Sequence, residues 1–246
     1  MLRHGPRAGQ RVLDVGCGFG DTSVALAGLV QSMGSVLAVD GAPRFIAQAK
    51  QEAQRAGLLN LEYKVADVQT AKIPGAFDLV FSRFGVMFFS NPVVAMRNLR
   101  ATLEPDGRLC VVVWCAKTEN AWAAVPEAIV RSLLPPPDEK AAPTCGPGPF
   151  SMADTSVVSQ ILTNAGYSNI AFERNDSLVR VGHHVNDAIE FALSLGPAGE
   201  VMRLAGEAAE KHRPQVETAL REALKPFVTA NGIEMPSSTW IVTAHA

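Results

Sequence analysis

Residues 11–20, Arg-Val-Leu-Asp-Val-Gly-Cys-Gly-Phe-Gly, constrain the fold more tightly than any other stretch of the chain. The run from Val12 to Val15 gives way to glycines at alternate positions, Gly16, Gly18 and Gly20. This order predicts a buried parallel strand, a tight turn and a helix whose N-terminus faces the turn. Glycine has no Cβ, so the backbone there can take positive φ and a ligand can approach closely. The spacing narrows the choice of ligand. A dinucleotide fingerprint, G-x-G-x-x-G, needs its third glycine at position 21, where this chain has Asp21. The chain also carries Asp14 inside the strand. A carboxylate there suits an ammonium group and repels a pyrophosphate.

Strand and helix patterns alternate from this point. Apolar runs predict strands at 11–15, 35–40, 61–66, 77–82 and 108–114. They lack clean alternation, as expected for strands covered on both faces. Helices are predicted at 20–33, 43–56, 91–104 and 120–133. Pro43 suits a first helical turn, Gly57 a stop, and Asn91-Pro92 a cap followed by proline. Such alternation implies a parallel sheet with right-handed crossovers. Residues 134–153 are rich in Pro and Gly and break the pattern. Beyond them the sequence predicts a helix at 154–165, a strand at 168–174 and a short extra strand at 178–181. Helices at 185–195 and 199–229 follow, then a last strand, Trp240-Ile-Val-Thr-Ala. The expected fold is α/β: a doubly wound, mostly parallel, seven-stranded Rossmann-like sheet with a C-terminal helical elaboration. Its expected parts are a core over 1–133, a loop over 134–153, and the remainder of the sheet with inserted cap or interface helices over 154–246, all in one structural domain.

Val12-Leu-Asp-Val-Gly-Cys-Gly-Phe-Gly20 resembles the first motif of the class I S-adenosylmethionine-dependent methyltransferases. The resemblance continues in register. Val36-Leu-Ala-Val-Asp40 is similar to the second strand, which ends in the acid that holds the ribose hydroxyls. Val65-Ala-Asp67-Val68 is similar to the third, ending in the acid that contacts the adenine. Phe77-Asp-Leu-Val-Phe-Ser82 resembles the fourth strand, and Leu103-Glu-Pro-Asp-Gly-Arg-Leu the turn entering the fifth. The match covers roughly residues 11–115. Within the class, Ser82-Arg-Phe-Gly-Val-Met-Phe-Phe89 and Trp240-Ile-Val-Thr-Ala resemble the ubiquinone/menaquinone-biosynthesis-type branch, which methylates small molecules.

The resemblance implies that the 1–133 core binds S-adenosyl-L-methionine. It also implies methyl transfer by in-line displacement to a small apolar or aromatic acceptor, on oxygen, nitrogen or carbon. Asp14 would orient the cofactor's ammonium, and Gly16-Cys17-Gly18 would bring backbone groups to its methionine end. Asp40 would accept the ribose hydroxyls, with Gly41 and Ala42 beside the adenine. Asp67 would accept from the adenine amino group, while the Val68 amide reads the ring. Ser82 and Arg83 follow the fourth strand, where in this family a backbone carbonyl faces the cofactor amine. Each acid also has a plainer reading: Asp14 as a cap for turn amides, Asp40 as an exposed turn residue, Asp67 as a helix cap. Phe84, Met87 and Trp114 are the candidate walls of an acceptor pocket.

No catalytic residue stands out. Methyl transfer can run on alignment and exclusion of water, and a general base is needed only where the nucleophile must lose a proton. His183-His184 reads as a solvent-facing loop pair. The five histidines are dispersed at 4, 183, 184, 212 and 245, so no metal site is expected.

Composition fits a cytoplasmic enzyme with a small-molecule acceptor. A net charge of −2 over 246 residues leaves no footprint for nucleic acid. There is no run of about eighteen apolar residues and no signal-peptide core. Cys17, Cys110, Cys115 and Cys145 form no C-x-x-C pair and read as reduced thiols. Only ten residues precede the first strand, whereas members of this family usually carry N-terminal helices over the cofactor. This predicts an open cleft, cofactor binding with weak methyl transfer, and an uncovered apolar wall at Phe84, Val86 and Met87 that favours a homo-oligomer. Two other function classes fit less of the sequence. One is a non-catalytic or weakly active module of the same fold lacking its N-terminal lid. The other is an NAD(P)-dependent oxidoreductase, against which position 21 and the acids at 14 and 67 argue.

Overall fold

The structure, a computed structural model, describes residues 3–134 and 147–246. Cys145 and positions 135–146 of the proline-rich loop lie outside the described residues. In chain order the elements are β1 (Arg11–Val15), α1 (Asp21–Val30), β2 (Ser35–Asp40), α2 (Pro43–Arg55), β3 (Leu61–Val65), β4 (Phe77–Arg83) and α3 (Pro92–Arg100). Then come β5 (Leu103–Trp114), α4 (Ala121–Leu133), α5 (Thr155–Ala165), β6 (Ser168–Gly182), α6 (Val185–Ser194), α7 (Gly196–Ala205), α8 (Glu207–Leu224), β7 (Val228–Thr229) and β8 (Gly232–His245).

The strands join one sheet in the order β3-β2-β1-β4-β5-β8-β6, with β7 beside β8. β1 runs parallel to β2 and β4, β2 to β3, and β4 to β5. β7 and β8 are antiparallel. The expected mostly parallel α/β sheet is therefore present, with two-residue β7 as an eighth strand. The chain forms two compact units. One comprises Met1–Val113, Gly146–Glu173 and Trp240–Ala246; the other comprises Trp114–Cys145 and Arg174–Thr239.

In the first unit, Val12, Val36, Leu79 and Phe81 come from three adjacent strands and meet Leu26, Ala27 and Val30 of α1. Ala38 and Tyr63 likewise meet Ile46, Ala49 and Ala53 of α2. Burial of a large apolar side chain contributes about 1.5–3 kcal/mol, so these two seams fix the helices on the sheet. Caps set the helix starts. Asn91 accepts from Val94 N at 3.2 Å ahead of Pro92, and Asp154 accepts from Ser156 N at 2.8 Å. β1 lies between β2 and β4, so the chain order reverses there. Connections leaving β1 and β4 diverge at such a point, and a crevice opens beyond the carboxyl ends of the strands.

Four elements differ from the sequence expectation. β5 begins at Leu103, not at 108. Its pairing with β4 jumps from Phe77↔Leu103 to Leu79↔Arg108, so Glu104–Gly107 bulge within the strand. A Cβ on Gly107 would lie 2.8 Å from Glu104 O and 2.9 Å from Phe77 O, a fit open to glycine alone. β6 is one continuous strand where two were expected. The polar residues that suggest a break, Asn175 to Ser177, are satisfied across the sheet. Ser238 Oγ donates to Asp176 at 2.6 Å, and Ser237 Oγ to Ser177 O at 3.0 Å. The helix expected over 199–229 is two, α7 and α8, parted at Gly206 with φ 53°. β8 starts at Gly232, eight residues before the apolar run that signalled it, because Ser237, Ser238 and Thr239 are buried polar residues.

The second unit is organised around Asn120, which is fully buried. Its Oδ1 accepts from Ser238 N at 3.0 Å and Trp122 Nε1 at 3.3 Å. Its Nδ2 donates to Ala116 O at 3.0 Å and Cys115 O at 3.3 Å. Trp122 packs at 4.9 Å from Trp114 and 6.2 Å from Phe191 between ring centroids. Asn120→Ala should leave four groups without their partner, three of them on buried residues, and cost about 2–4 kcal/mol of stability. Thermal unfolding checks this; an unchanged midpoint would show that water replaces all four bonds.

Candidate functional site

β1 ends against β2. Gly16 N and Cys17 N both donate to Val39 O, at 2.8 and 3.1 Å, which folds the glycine turn over the end of the neighbouring strand. Gly16 and Gly18 have φ of 65° and 55°, values that L side chains rarely adopt. The alternate glycines have different surroundings. A Cβ on Gly16 would sit 2.7 Å from Gly85 Cα, so two backbones meet there directly. A Cβ on Gly20 would run into the Tyr63 hydroxyl. Among the described residues, Gly18 and Gly41 face nothing within 4 Å. The turns after β1 and β2 therefore border open space, with room for a ligand to lie against bare backbone.

Two acids frame this space. Asp14 is 1% exposed, and Ser23 Oγ donates to its Oδ2 at 2.7 Å. Burial pushes its pKa up to about 7, against the pull of Ser23 and of the Arg83 charge; Asp40 adds a smaller push. Asp40, at the end of β2, accepts from Gly18 N at 3.0 Å and from Ala42 N at 2.8 Å, one on each oxygen. A single carboxylate thus joins both turns, and each oxygen keeps a further lone pair. Between these acids the Cys17 thiol is buried. Burial first, then the charges of Asp14 and Asp40, push its pKa far above the usual thiol range. It stays protonated and is not a nucleophile.

β3 and β4 complete the arrangement. Ala66 N donates to Asp40 O at 3.0 Å, which sets Asp67 beside the end of β2. Asp67 is followed by a turn, with no helix for it to cap. Its Oδ1 accepts from Gln69 N at 2.9 Å, and its carbonyl accepts from Thr70 N and Ala71 N. Val68 is buried, with its carbonyl held by Asn98 Nδ2 at 3.1 Å. Ser82, fully buried, donates to Val15 O at 2.7 Å and ties β4 to the end of β1. Arg83 Nε donates to Thr22 Oγ1 at 2.9 Å. Phe84 is held at φ 64°, a conformation that costs a non-glycine residue on the order of 1–3 kcal/mol.

The structure thus gathers Asp14, Gly16, Cys17, Gly18, Asp40, Gly41, Ala42, Ser82 and Arg83 around the ends of β1, β2 and β4, with Asp67 and Val68 after β3. Val86 and Met87 are each 1% exposed, so two of the three residues of the apolar wall expected to stand uncovered are core, while Phe84 is half-buried. The Met87 carbonyl accepts from Ser151 Oγ at 2.6 Å. Trp114 belongs to the second unit, against Trp122. Four residues that shape the site escaped sequence reasoning: Thr22, Ser23, Tyr63 and Gly85. Gly85 had a signal, a glycine two residues beyond the end of a strand at the point where chain order reverses. The other three had none, since nothing local marks a helical Ser or Thr as the partner of a distant charge.

The sequence matches the family model of the methyltransferase domain over residues 6–135. The chain belongs to this methyltransferase family. It is 38% identical over 105 residues to aklanonic acid methyltransferase of Streptomyces sp. (strain C5), covering 42% of this chain and 48% of that one. It is 24% identical over 176 residues to the ubiquinone/menaquinone biosynthesis C-methyltransferase of Cronobacter sakazakii, covering 68% and 70%. The match to the Streptomyces enzyme therefore spans about half of that protein's length. Among solved structures, the YcgJ protein of Bacillus subtilis superposes with a TM-score of 0.58 at 19% identity, over 97% of this chain and 92% of that one. Phosphoethanolamine N-methyltransferase 2 of Haemonchus contortus, in complex with S-adenosyl-L-methionine, superposes with a TM-score of 0.57 at 16% identity, over 99% and 50%. These two likenesses carry the fold. With the sequence matches, the chain belongs to the class I S-adenosylmethionine-dependent methyltransferases and is similar to their ubiquinone/menaquinone-biosynthesis-type branch. Among the described residues, no helix is long and apolar enough to cross a membrane.

Proposed function

We propose that the first unit binds S-adenosyl-L-methionine across the ends of β1 to β4, and that the protein methylates a small apolar or aromatic acceptor. The observation that carries this reading is the Asp40 carboxylate, which spans the two turns at Gly18 and Ala42 beside open backbone. A diol is the ligand such a carboxylate suits, because each oxygen can accept one hydroxyl. Asp14 holds the ammonium, and Gly16, Cys17 and Gly18 line the amino-acid end with backbone. Gly41 and Ala42 lie along the adenine, Asp67 accepts from its amino group, and the Val68 amide faces the ring. Ser82 and Arg83 border the amino-acid end, and Phe84 offers an apolar face to the acceptor.

When bound, S-adenosylmethionine supplies a methyl group already activated by a sulfonium. The chain's own contribution is then to hold the reactants in line and keep water away. Buried Asp14, Cys17 and Ser82 give the floor of the site no mobile nucleophile, since Ser82 is hydrogen-bonded into the sheet and Cys17 is protonated. An acceptor that must lose a proton also needs a general base. The apolar or aromatic acceptor class is supported by the relatives named for aklanonic acid and for ubiquinone/menaquinone biosynthesis.

Asp40→Ala should weaken binding of S-adenosylhomocysteine by about 1–3 kcal/mol, the scale for leaving buried hydroxyls without a partner. Asp40→Asn should lose less, since its amide oxygen still accepts. Calorimetric titration reads both; equal affinity for wild type and Asp40→Ala moves the ribose elsewhere. A screen of quinones, phenols, carboxylic acids and amines with labelled cofactor tests the acceptor class. Labelling confined to amines contradicts it.

A further inference from the structure

β4 ends in a cation held in one orientation. Arg83 is exposed, yet its Nε is anchored to Thr22 Oγ1 at 2.9 Å, and Thr22 is buried in the first turn of α1. Its guanidinium lies 5.9 Å from the centre of the Phe84 ring. The backbone that carries the ring is itself held, because Phe84 takes a left-handed conformation with its N–H bonded to Val112 O at 2.9 Å. One edge and one face of the guanidinium are thereby used. The edge carrying the two Nη nitrogens is not. Among the described residues, Arg83 forms no ion pair.

The position of this cation matters. β1 and β4 are neighbours, and Asp14 pairs with Phe81, two residues before Arg83. The Arg83 charge is felt at Asp14, where it favours the ionised carboxyl. A buried acid and an anchored guanidinium thus stand at adjacent strand ends, beside the glycine turn. This is the mirror of an α-amino acid, whose ammonium and carboxylate share one carbon. A guanidinium edge matches a carboxylate in a bidentate manner that a lysine cannot reproduce.

We infer that Arg83 reads the α-carboxylate of the amino-acid end of S-adenosylmethionine while Asp14 holds its ammonium. The assignment rests on the proposed cofactor site and adds the residue that separates the intact cofactor from relatives lacking the acid. An acceptor carboxylate is the other anion that could reach this edge, and titrations without acceptor exclude it.

The test is a set of calorimetric titrations on the full chain at pH 8. Wild type, Arg83→Gln and Arg83→Lys are each titrated with S-adenosylhomocysteine and with its decarboxylated analogue, which keeps amine, thioether and nucleoside. Wild type should prefer the intact ligand by about tenfold or more. Arg83→Gln should erase that preference by losing more affinity for the intact ligand than for the analogue, and Arg83→Lys should restore part of it. Unfolding curves of the three proteins show that each is folded. A preference undiminished in Arg83→Gln overturns the inference, as does an equal loss for both ligands, which marks a purely structural arginine. If wild type binds neither ligand, the cofactor site itself is wrong, a result distinct from binding of both without discrimination.

Discussion

Gly18→Val is expected to abolish measurable binding of S-adenosylhomocysteine while the sheet stays folded. Among the described residues, none has an atom within 4 Å of where the Gly18 Cβ would stand, so a branched side chain enters the room left for the ligand. The φ of 55° adds local strain of about 1–3 kcal/mol, which a unit of this size absorbs. Affinity should fall at least about a hundredfold, or about 2.7 kcal/mol. Two positions earlier the outcome should reverse. A side chain at Gly16 runs into the backbone of Gly85 at 2.7 Å, and neither backbone can yield without parting β1 from β4. Gly16→Val should therefore lower the unfolding midpoint sharply. Calorimetry and thermal unfolding on both variants read the contrast. A folded Gly18→Val protein with wild-type affinity places the ligand elsewhere.

The second large effect is on pH. Burial raises the Asp14 pKa from 3.8 to about 7, so the folded protein keeps a proton there that the unfolded chain releases near pH 4. For stability the sign is fixed. The contribution is fully present below the unfolded pKa and is lost as pH rises through 7, because the ionised acid must then sit buried. For binding the sign is opposite. An ammonium ligand needs the carboxylate, so affinity should be highest above pH 7 and fall about tenfold per unit below it. Two close neighbours leave this window to Asp14: Ser23 does not titrate, and Cys17, raised by burial, stays protonated. Asp14→Asn should flatten the profile and weaken binding at pH 8 by about 1.5–3 kcal/mol. It should also make the ligand-free protein more stable at pH 8, since a buried charge is gone. Titrations between pH 5 and 8, with unfolding curves alongside, check all three. A wild-type slope that survives in Asp14→Asn assigns the proton to another group.

The parallel half of the fold and the glycine turn were legible in the sequence because their signals are local. An apolar run, three alternate glycines and a following helix specify β1 and α1 almost by themselves, and Asn91-Pro92 marks the start of α3. The roles of the individual glycines were not legible. Gly16 exists for its contact with Gly85, which lies sixty-nine positions away along the chain (85 − 16), whereas Gly18 borders open space. The carboxyl-terminal strands were read too short for a related reason. Asn175, Asp176 and Ser177 look like a break until Ser237, Ser238 and Thr239 are placed across from them, and a polar residue satisfied by a distant strand has no local signature. Met87 read as a candidate pocket wall, and it is 1% exposed; apolarity does not distinguish a pocket wall from core. Asp40 shows the opposite case. Its position at a strand end was plain, but its hold on two backbone amides at once appears only when the turns after β1 and β2 are folded together.

The measurement that bears most directly on the cofactor site is a calorimetric titration of the chain at pH 8 with S-adenosylhomocysteine, repeated with NAD. Saturable binding of S-adenosylhomocysteine, weakened in Asp40→Ala and lost in Gly18→Val, with no heat from NAD, is the predicted result. Binding of NAD in its place, or S-adenosylhomocysteine binding indifferent to both substitutions, would contradict it.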